Sequence, residues 1–282
     1  MSNFTIRVAN TDDLPALKHI WRTCFEDSEA DTDRFFRYFF GEETTLILSR
    51  GNEKAAAAHL LFEAEFVSRN ESSKCPTGKC PYIYGVGVLP SFRGNGFGAE
   101  ISRAATIHCL ELGYEMSVIV PADEGLFGFY KDYAGYSDYF TVNEYKINTE
   151  GRVSPEAIVK RITPKEYGNL REHLLSDINH LRFSRLACSY LNELCVSTGG
   201  GLYGLSHNGF ADMAVAAVEI GEKGLQVKEL LCSPDQTEYL AIALFNAFGF
   251  HSGTVRTPGQ QKRFGMSSIR AQGSGYFGFA FD

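Results

Sequence analysis

The stretch GVGVLPSFRGNGFGAEISRA, residues 85–104, decides how the rest of the chain is read. An apolar, β-branched run ends at Val88-Leu89-Pro90, a glycine-rich turn comes next, and a helical pattern begins at once. Ile101, Ala104, Ala105, Cys109 and Leu112 fall on one face of that helix, which stops at Gly113. A glycine turn opening a helix is an anion site, because main-chain N–H groups converge there. Glycine also lets the backbone approach a phosphate with no Cβ between them.

Three phosphate loops compete for this stretch. A P-loop needs Lys-Ser or Lys-Thr after its last glycine, and neither is present here. A dinucleotide loop succeeds the first strand and needs an acid at the end of the next one. Here Gly94, Gly96 and Gly98 are spaced G-x-G-x-G behind a fourth or fifth strand, and the next strand ends at Val120-Pro121. The context therefore argues against a nicotinamide-dependent oxidoreductase.

Working outward, FTIRVA (4–9) reads as a strand, with Thr11-Asp12-Asp13 capping a helix over LPALKHIWRTCF (14–25). DTDRFFRYFF (31–40) predicts a short second helix. TTLILSR (44–50) and AAAAHLLFEAEFV (55–67) predict one strand each, and YIYGVGVL (82–89) leads into the loop. MSVIVPA (116–122), a helix in DEGLFGFYKDYAG and a strand YFTVNEYKI (139–147) complete a mixed α/β layer. The polar NTEGRVSP (148–155) predicts a boundary, giving domains 1–148 and 155–282. Beyond it RITPKEYGNLREHL repeats the strand–cap–helix opening. LLCSPDQTEYLAIAL then occupies the place of the glycine loop without a glycine or Arg-x-x-Gly.

The formal charge of −7, spread without long runs, argues against a nucleic-acid partner. No apolar run is long enough to span a membrane, and the polar N-terminus lacks a signal peptide's apolar segment, so a cytoplasmic protein is expected. Cysteines at 24, 75, 80, 109, 188, 195 and 232 show no metal-ligand spacing. Cys75 and Cys80 read as free thiols in a loop. His173 and His180 in REHLLSDINHL read as a solvated helix face, and no metal is expected.

Arg93-Gly94-Asn95-Gly96-Phe97-Gly98 fits the pattern [Q/R]-x-x-G-x-[G/A]. With its strand and helix, it resembles the acetyl-CoA signature of the GCN5-related N-acetyltransferases (GNAT). The resemblance covers residues 4 to about 147, including FYKDYAGY. It implies a GNAT fold with two strands splayed apart, then a degenerate second GNAT-like domain, as in larger Eis-like members. It implies that residues 93–98 hold the diphosphate of acetyl-CoA, that Val86 and Val88 offer main-chain groups to the pantetheine arm, and that Ser91 and Phe92 border it. An acetyl group then passes directly to a primary amine of a small molecule or peptide.

For the proton on the leaving sulfur the family's Tyr-x-x-x-Gly pattern points to Tyr130, with Tyr133 competing because Gly135 lies one residue too far on. Glu63, Glu65, Glu100 and Asp282 are the carboxylates weighed as general base, with Glu100 better read as part of a helix cap. The second half either walls the acceptor cleft or is an unrelated domain offering stability or a homo-oligomer surface. A catalytically silent acyl-CoA-binding protein is the alternative function.

Overall fold

The computed structural model describes residues 4–69, 77–152, 156–207, 214–222 and 224–281. Cys75, Asp282 and residues 153–155 of the expected boundary lie outside them. The described chain forms two compact units. One holds residues of 1–65, 74–139 and 265–272; the other holds residues of 66–73, 140–264 and 273–282. The units therefore do not part at 148–155, since Phe140 onward belongs to the second.

In the first unit the strands are β1 (Phe4–Val8), β2 (Thr45–Arg50), β3 (Glu53–Leu61), β4 (Ala64–Val67, as far as Glu65), β5 (Gly78–Lys79), β6 (Tyr82–Val88) and β7 (Val118–Ile119). The run read as one strand over 55–67 is two, broken at the Phe62-Glu63 turn. Helices are α1 (Leu14–Phe25), α2 (Glu29–Phe39), α3 (Phe97–Glu111) and α4 (Glu124–Ala134). The sheet runs β1-β2-β3-β6-β7. Its first four strands are antiparallel neighbours, and β7 is parallel to β6. Met266 and Ser267 add antiparallel to β7.

The core arises from alternation and helical period. Leu46, Leu48, Ala56 and Ala58 point from β2 and β3 into a cluster with Phe97, Ile101, Ala105 and Cys109 of α3. Leu17, Ile20 and Trp21 of α1 and Phe35, Phe36 and Phe39 of α2 are buried as well. Trp21 stacks on Phe35 at 4.0 Å.

The second unit comprises β8 (Ser137–Asn148, from Phe140), β9 (Ala157–Arg161), α5 (Pro164–Leu174), β10 (His180–Phe183), α6 (Arg185–Ser197), β11 (Gly201–His207), β12 (Ala214–Gly221), β13 (Gly224–Leu231), α7 (Thr237–Ala247) and β14 (Ser252–Pro258). Its sheet runs β9-β11-β12-β13-β14-β8. β13 and β14 are parallel neighbours, and the other neighbours in this order are antiparallel. The plan of the first unit is repeated, down to a capping box in which Thr163 and Glu166 bond each other's backbone N–H.

Arg171, 1% exposed, holds this unit's interior together. Its Nε donates to Glu229 at 3.1 Å, Nη1 to Leu181 O at 2.6 Å and Nη2 to Phe277 O at 3.3 Å. Tyr167 donates to the same carboxylate. A buried charge of this kind is tolerated because both members are paired and hydrogen-bonded. His180 is not on a solvated helix face: it is buried on β10, with Nε2 3.2 Å from Glu172. Among the described residues no helix is long and apolar enough to cross a membrane.

At the start of the chain, Asp13 accepts two hydrogen bonds from the Arg7 guanidinium at 2.6 and 2.7 Å. It also accepts one from Asn10 N–H at 3.0 Å, closing a capping box before α1. The Arg7 hydrogen bonds, against the opposing effect of burial, lower its pKa from 3.8 to about 2. A carboxylate held below its unfolded value stabilises the fold fully above that value, and loses the effect as pH falls through the folded one. Asp13→Asn should therefore unfold in urea about 1–2 kcal/mol more easily at pH 7, allowing for the half-exposed Arg7 partner. The difference from wild type should shrink between pH 4 and pH 2; a pH-independent difference would contradict this account.

Candidate active site

Two features of β6 shape the site. Against β3, Ala57 pairs with Gly87 but His59 pairs with Tyr84, so Gly85 and Val86 together oppose Ala58. This is a β-bulge, which adds a residue and turns the strand. Gly85 adopts φ +58, and a Cβ there would lie 2.5 Å from Trp21 Cζ3, so glycine is required both by conformation and by space. Against β7, β6 pairs only at Tyr82–Val118 and Ile83–Ile119. Beyond Ile83 the strands separate, and β6 runs on alone to Val88 on that side.

The open edge has defined chemistry. Leu89 N–H donates to Ala55 O on β3, so alternation turns the main-chain groups of Val88 towards the splay. Val88 O accepts from Arg93 Nε at 3.2 Å. Val86 and Val88 side chains pack on the core cluster, leaving their main-chain groups as the part the site can use.

Residues 93–98 continue from Val88 through a tight turn at Pro90–Phe92. Arg93 N–H donates back to Pro90 O, so it does not join the row of N–H groups expected over 93–98. The row begins after it. Asn95 Nδ2 donates to Phe92 O at 3.0 Å and pins the loop. Gly96 is the N-cap of α3, with φ +78 and no side-chain cap. The first N–H groups of α3 are left without an intrahelical acceptor. A Cβ on Gly94 or Gly96 would meet nothing within 4 Å, so the space before these amides is open. Phe97 is buried, its ring 5.6 Å from Phe4, and supplies only main chain.

Packed around the loop are residues the sequence did not single out. Cys24 of α1 is in hydrogen-bonding contact with Arg93; burial raises its thiol pKa and Arg93 opposes the rise. A Cβ on Gly87 would lie 3.1 Å from Cys24 Sγ. Phe129 of α4 stands 3.4 Å from the Cβ position of Gly98, which also has Val88 Cγ2 at 3.7 Å. His59 bonds Thr45 Oγ1 at 3.0 Å, and burial lowers its pKa to about 3, so the ring is neutral. A glycine inside the strand pattern YIYGVGV is the one signal that marks the bulge in advance.

Tyr130 and Tyr133 separate clearly. Tyr130 is buried in the cluster that holds Val86, Val88 and Phe129, whereas Tyr133 is 51% exposed. Burial, with Asp123 adding, pushes the Tyr130 pKa up to about 12. Tyr136 is fully buried, its hydroxyl 2.8 Å from Ser117 Oγ.

The carboxylates are scattered. Glu63 is in the turn after β3 and Glu65 is on β4, so neither stands on β3 as read from the sequence. Leu61 pairs with Tyr82, which places that turn at the end of β6 opposite Val88. Glu100 pairs with Arg103 at 3.2 Å within the first turns of α3.

The comparisons agree with this geometry. Residues 5–137 match the family model described as Acetyltransferase (GNAT) domain. Residues 5–137 form a GNAT domain. Solved structures extend the likeness in fold to most of the chain. A GCN5-related N-acetyltransferase from Anabaena variabilis is 16% identical, covers 94% of this chain and 72% of its own, and superposes with a TM-score of 0.68. One from Kribbella flavida is 15% identical over 94% of this chain and 70% of its own, with a TM-score of 0.66. Eis1 from Mycobacterium abscessus is 11% identical over 92% and 66%, with a TM-score of 0.60. No curated protein matches the chain in sequence.

The start of α3 is thus an uncapped helix N-terminus with open space at Gly94 and Gly96, a feature whose free N–H groups suit an anion. Gly96→Glu places a carboxylate in that space. It should weaken coenzyme A binding by about 100-fold, roughly 3 kcal/mol, in a calorimetric titration. Unchanged affinity in a folded variant would remove the loop from the site.

Proposed function

We propose that this protein is an N-acetyltransferase that uses acetyl-CoA and acetylates a primary amine of a small molecule or peptide. The observation that carries the reading is the β6–β7 splay opening beside the uncapped glycine loop. One region thereby offers amides for a diphosphate and a free strand edge for an amide-bearing arm. The main-chain N–H groups after Arg93, over residues 94–98, hold the diphosphate, and the main-chain groups of Val86 and Val88 hold the arm. The second unit, whose counterpart of the loop lacks glycine, is the degenerate partner of a tandem. The free cysteines among the described residues fit a reducing cytoplasm.

The reaction needs no covalent enzyme intermediate. The amine nitrogen attacks the thioester carbonyl carbon, the C–N bond forms, and the C–S bond breaks with its electron pair on sulfur. The amine's surplus proton leaves to water. Tyr130 meets the sulfur as charge develops. With its pKa raised to about 12, full proton transfer to a thiolate is uphill, the ordinary thiol value being about 8.5. Its contribution is therefore a hydrogen bond that strengthens in the transition state, with the final proton from solvent.

Tyr130→Phe should lower kcat by about 100-fold and leave the affinity for acetyl-CoA within about threefold, as for a group that acts in the transition state. Tyr133→Phe should change neither. The wild-type rate should not fall through loss of the Tyr130 proton up to about pH 10.5, because that proton is lost only near 12. A large loss of kcat in Tyr133→Phe with Tyr130→Phe near wild type would transfer the role to Tyr133. Acetyl-CoA consumption across polyamines, aminoglycosides, amino acids and peptides identifies the acceptor. Binding of acetyl-CoA without turnover on any of them would instead mark a silent acyl-CoA-binding protein.

A further inference from the structure

The second unit repeats the splay. β13 and β14 are parallel neighbours at only three positions, Leu225–Gly253 to Val227–Val255, and β13 carries an extra residue, Lys228, against β12. The two units differ beyond the outer parallel strand. In the first, β7 leads into α4, whose Phe129 packs beside Gly98 and Val88. In the second, β14 leads through a turn at residues 259–261 to a strand, β15 (Lys262–Ser267), so among the described residues no helix takes the place of α4.

A cavity of about 430 Å³ lies there, within the second unit, reaching from β8 across β14 to the end of β13 beneath the first turn of α7. Well-packed interiors leave few voids larger than a water molecule, whereas small-molecule sites measure roughly 300–1,000 Å³. Leu230 and Val255 back it with no exposed surface of their own, and its accessible apolar lining comes from the half-buried Ile147, Cys232 and Pro258, among polar neighbours such as Asn143 and Thr237. At its mouth Arg152 is paired with Glu238, and both are exposed. This carboxylate comes from the chain itself and sits on the one guanidinium among the lining residues. A ligand carboxylate can take its place while an alkyl body covers Ile147, Cys232 and Pro258. The glycine loop has no counterpart here, which disfavours a diphosphate.

We infer that this cavity binds a small amphipathic monocarboxylate, a medium-chain acyl acid, with its carboxylate on Arg152 and its chain against Ile147, Cys232 and Pro258.

The test uses the full-length protein saturated with coenzyme A, so that the first unit's site is occupied, and titrates decanoate against decanamide by calorimetry. Decanoate should bind with one-to-one stoichiometry at least tenfold more tightly than the neutral amide. Arg152→Ala should weaken decanoate at least tenfold and leave decanamide unchanged. Glu238→Gln should tighten decanoate severalfold by removing the internal competitor. Cys232→Phe, whose ring projects into the cavity from a half-buried position, should abolish binding of both, with folding checked by its thermal transition. Absence of decanoate binding at millimolar concentration overturns the proposal. So does equal affinity for acid and amide, or wild-type affinity in folded Arg152→Ala or Cys232→Phe. Coenzyme A binding, measured separately, reports on the first unit alone.

Discussion

The constraint on which the first unit depends is the shortness of one strand pairing. β6 and β7 share two ladder positions, Tyr82–Val118 and Ile83–Ile119, and then part. A sheet edge left open inside a protein carries unsatisfied N–H and C=O groups, which is costly unless something pairs with them. Here the chain provides part of the answer, since Arg93 Nε bonds Val88 O, and an amide-bearing ligand would provide the rest. The bulge at Gly85–Val86 falls just beyond the last paired position, and it requires a residue that accepts φ +58 with Trp21 in the space a Cβ would fill.

The second unit shows that the splay and the cradle are separable. β13 carries its bulge and parts from β14 as β6 parts from β7, yet the connection to α7 is a short turn at Pro234–Gln236 without glycines. Strand divergence is encoded by pairing and bulge. The glycine loop is encoded by the few residues between strand and helix. A chain can lose the second and keep the first, and the remainder is a cavity lined by polar and apolar side chains with no glycine loop beside it.

The features legible in the sequence divide along the same line. The glycine loop, the Thr11–Asp13 cap, the Thr163–Glu166 capping box and the repeated element order are local patterns, each readable within a few residues. The family of the first half was equally legible in Arg93–Gly98. The rest depends on contacts made far along the chain. That Met266 and Ser267 pair with β7, or that Arg171 reaches Phe277, is a matter of tertiary pairing that no short window contains. Tyr130 and Tyr133 are chemically alike and three residues apart; only the packing of α4 buries one and exposes the other. His180 reads as part of a helix until β10 and the Glu172 contact take it inside. The Arg93 N–H belongs to the cradle by sequence, but the turn at Pro90 claims it first.

Helix α1 links the β6 bulge to the glycine loop. Trp21 and Cys24, one turn apart on the same face, press respectively on Gly85 and on Gly87 with Arg93. The bulge and the cradle are thus positioned by one rigid element instead of two independent ones. The helix ends immediately afterwards: Glu26 takes the left-handed conformation, and Asp27 accepts from Trp21 Nε1 at 2.8 Å. The same indole that fills the space over Gly85 therefore also fixes where the chain leaves α1. A change in the size of residue 21 would be felt at the bulge, at the α1–α2 turn and, through the helix, at the contact with Arg93. Such coupling explains why a single large side chain, the only tryptophan in the sequence, stands at this position. Its flat ring stacks on Phe35, lies against a bare backbone and donates one hydrogen bond at its edge, three tasks that no aliphatic residue combines.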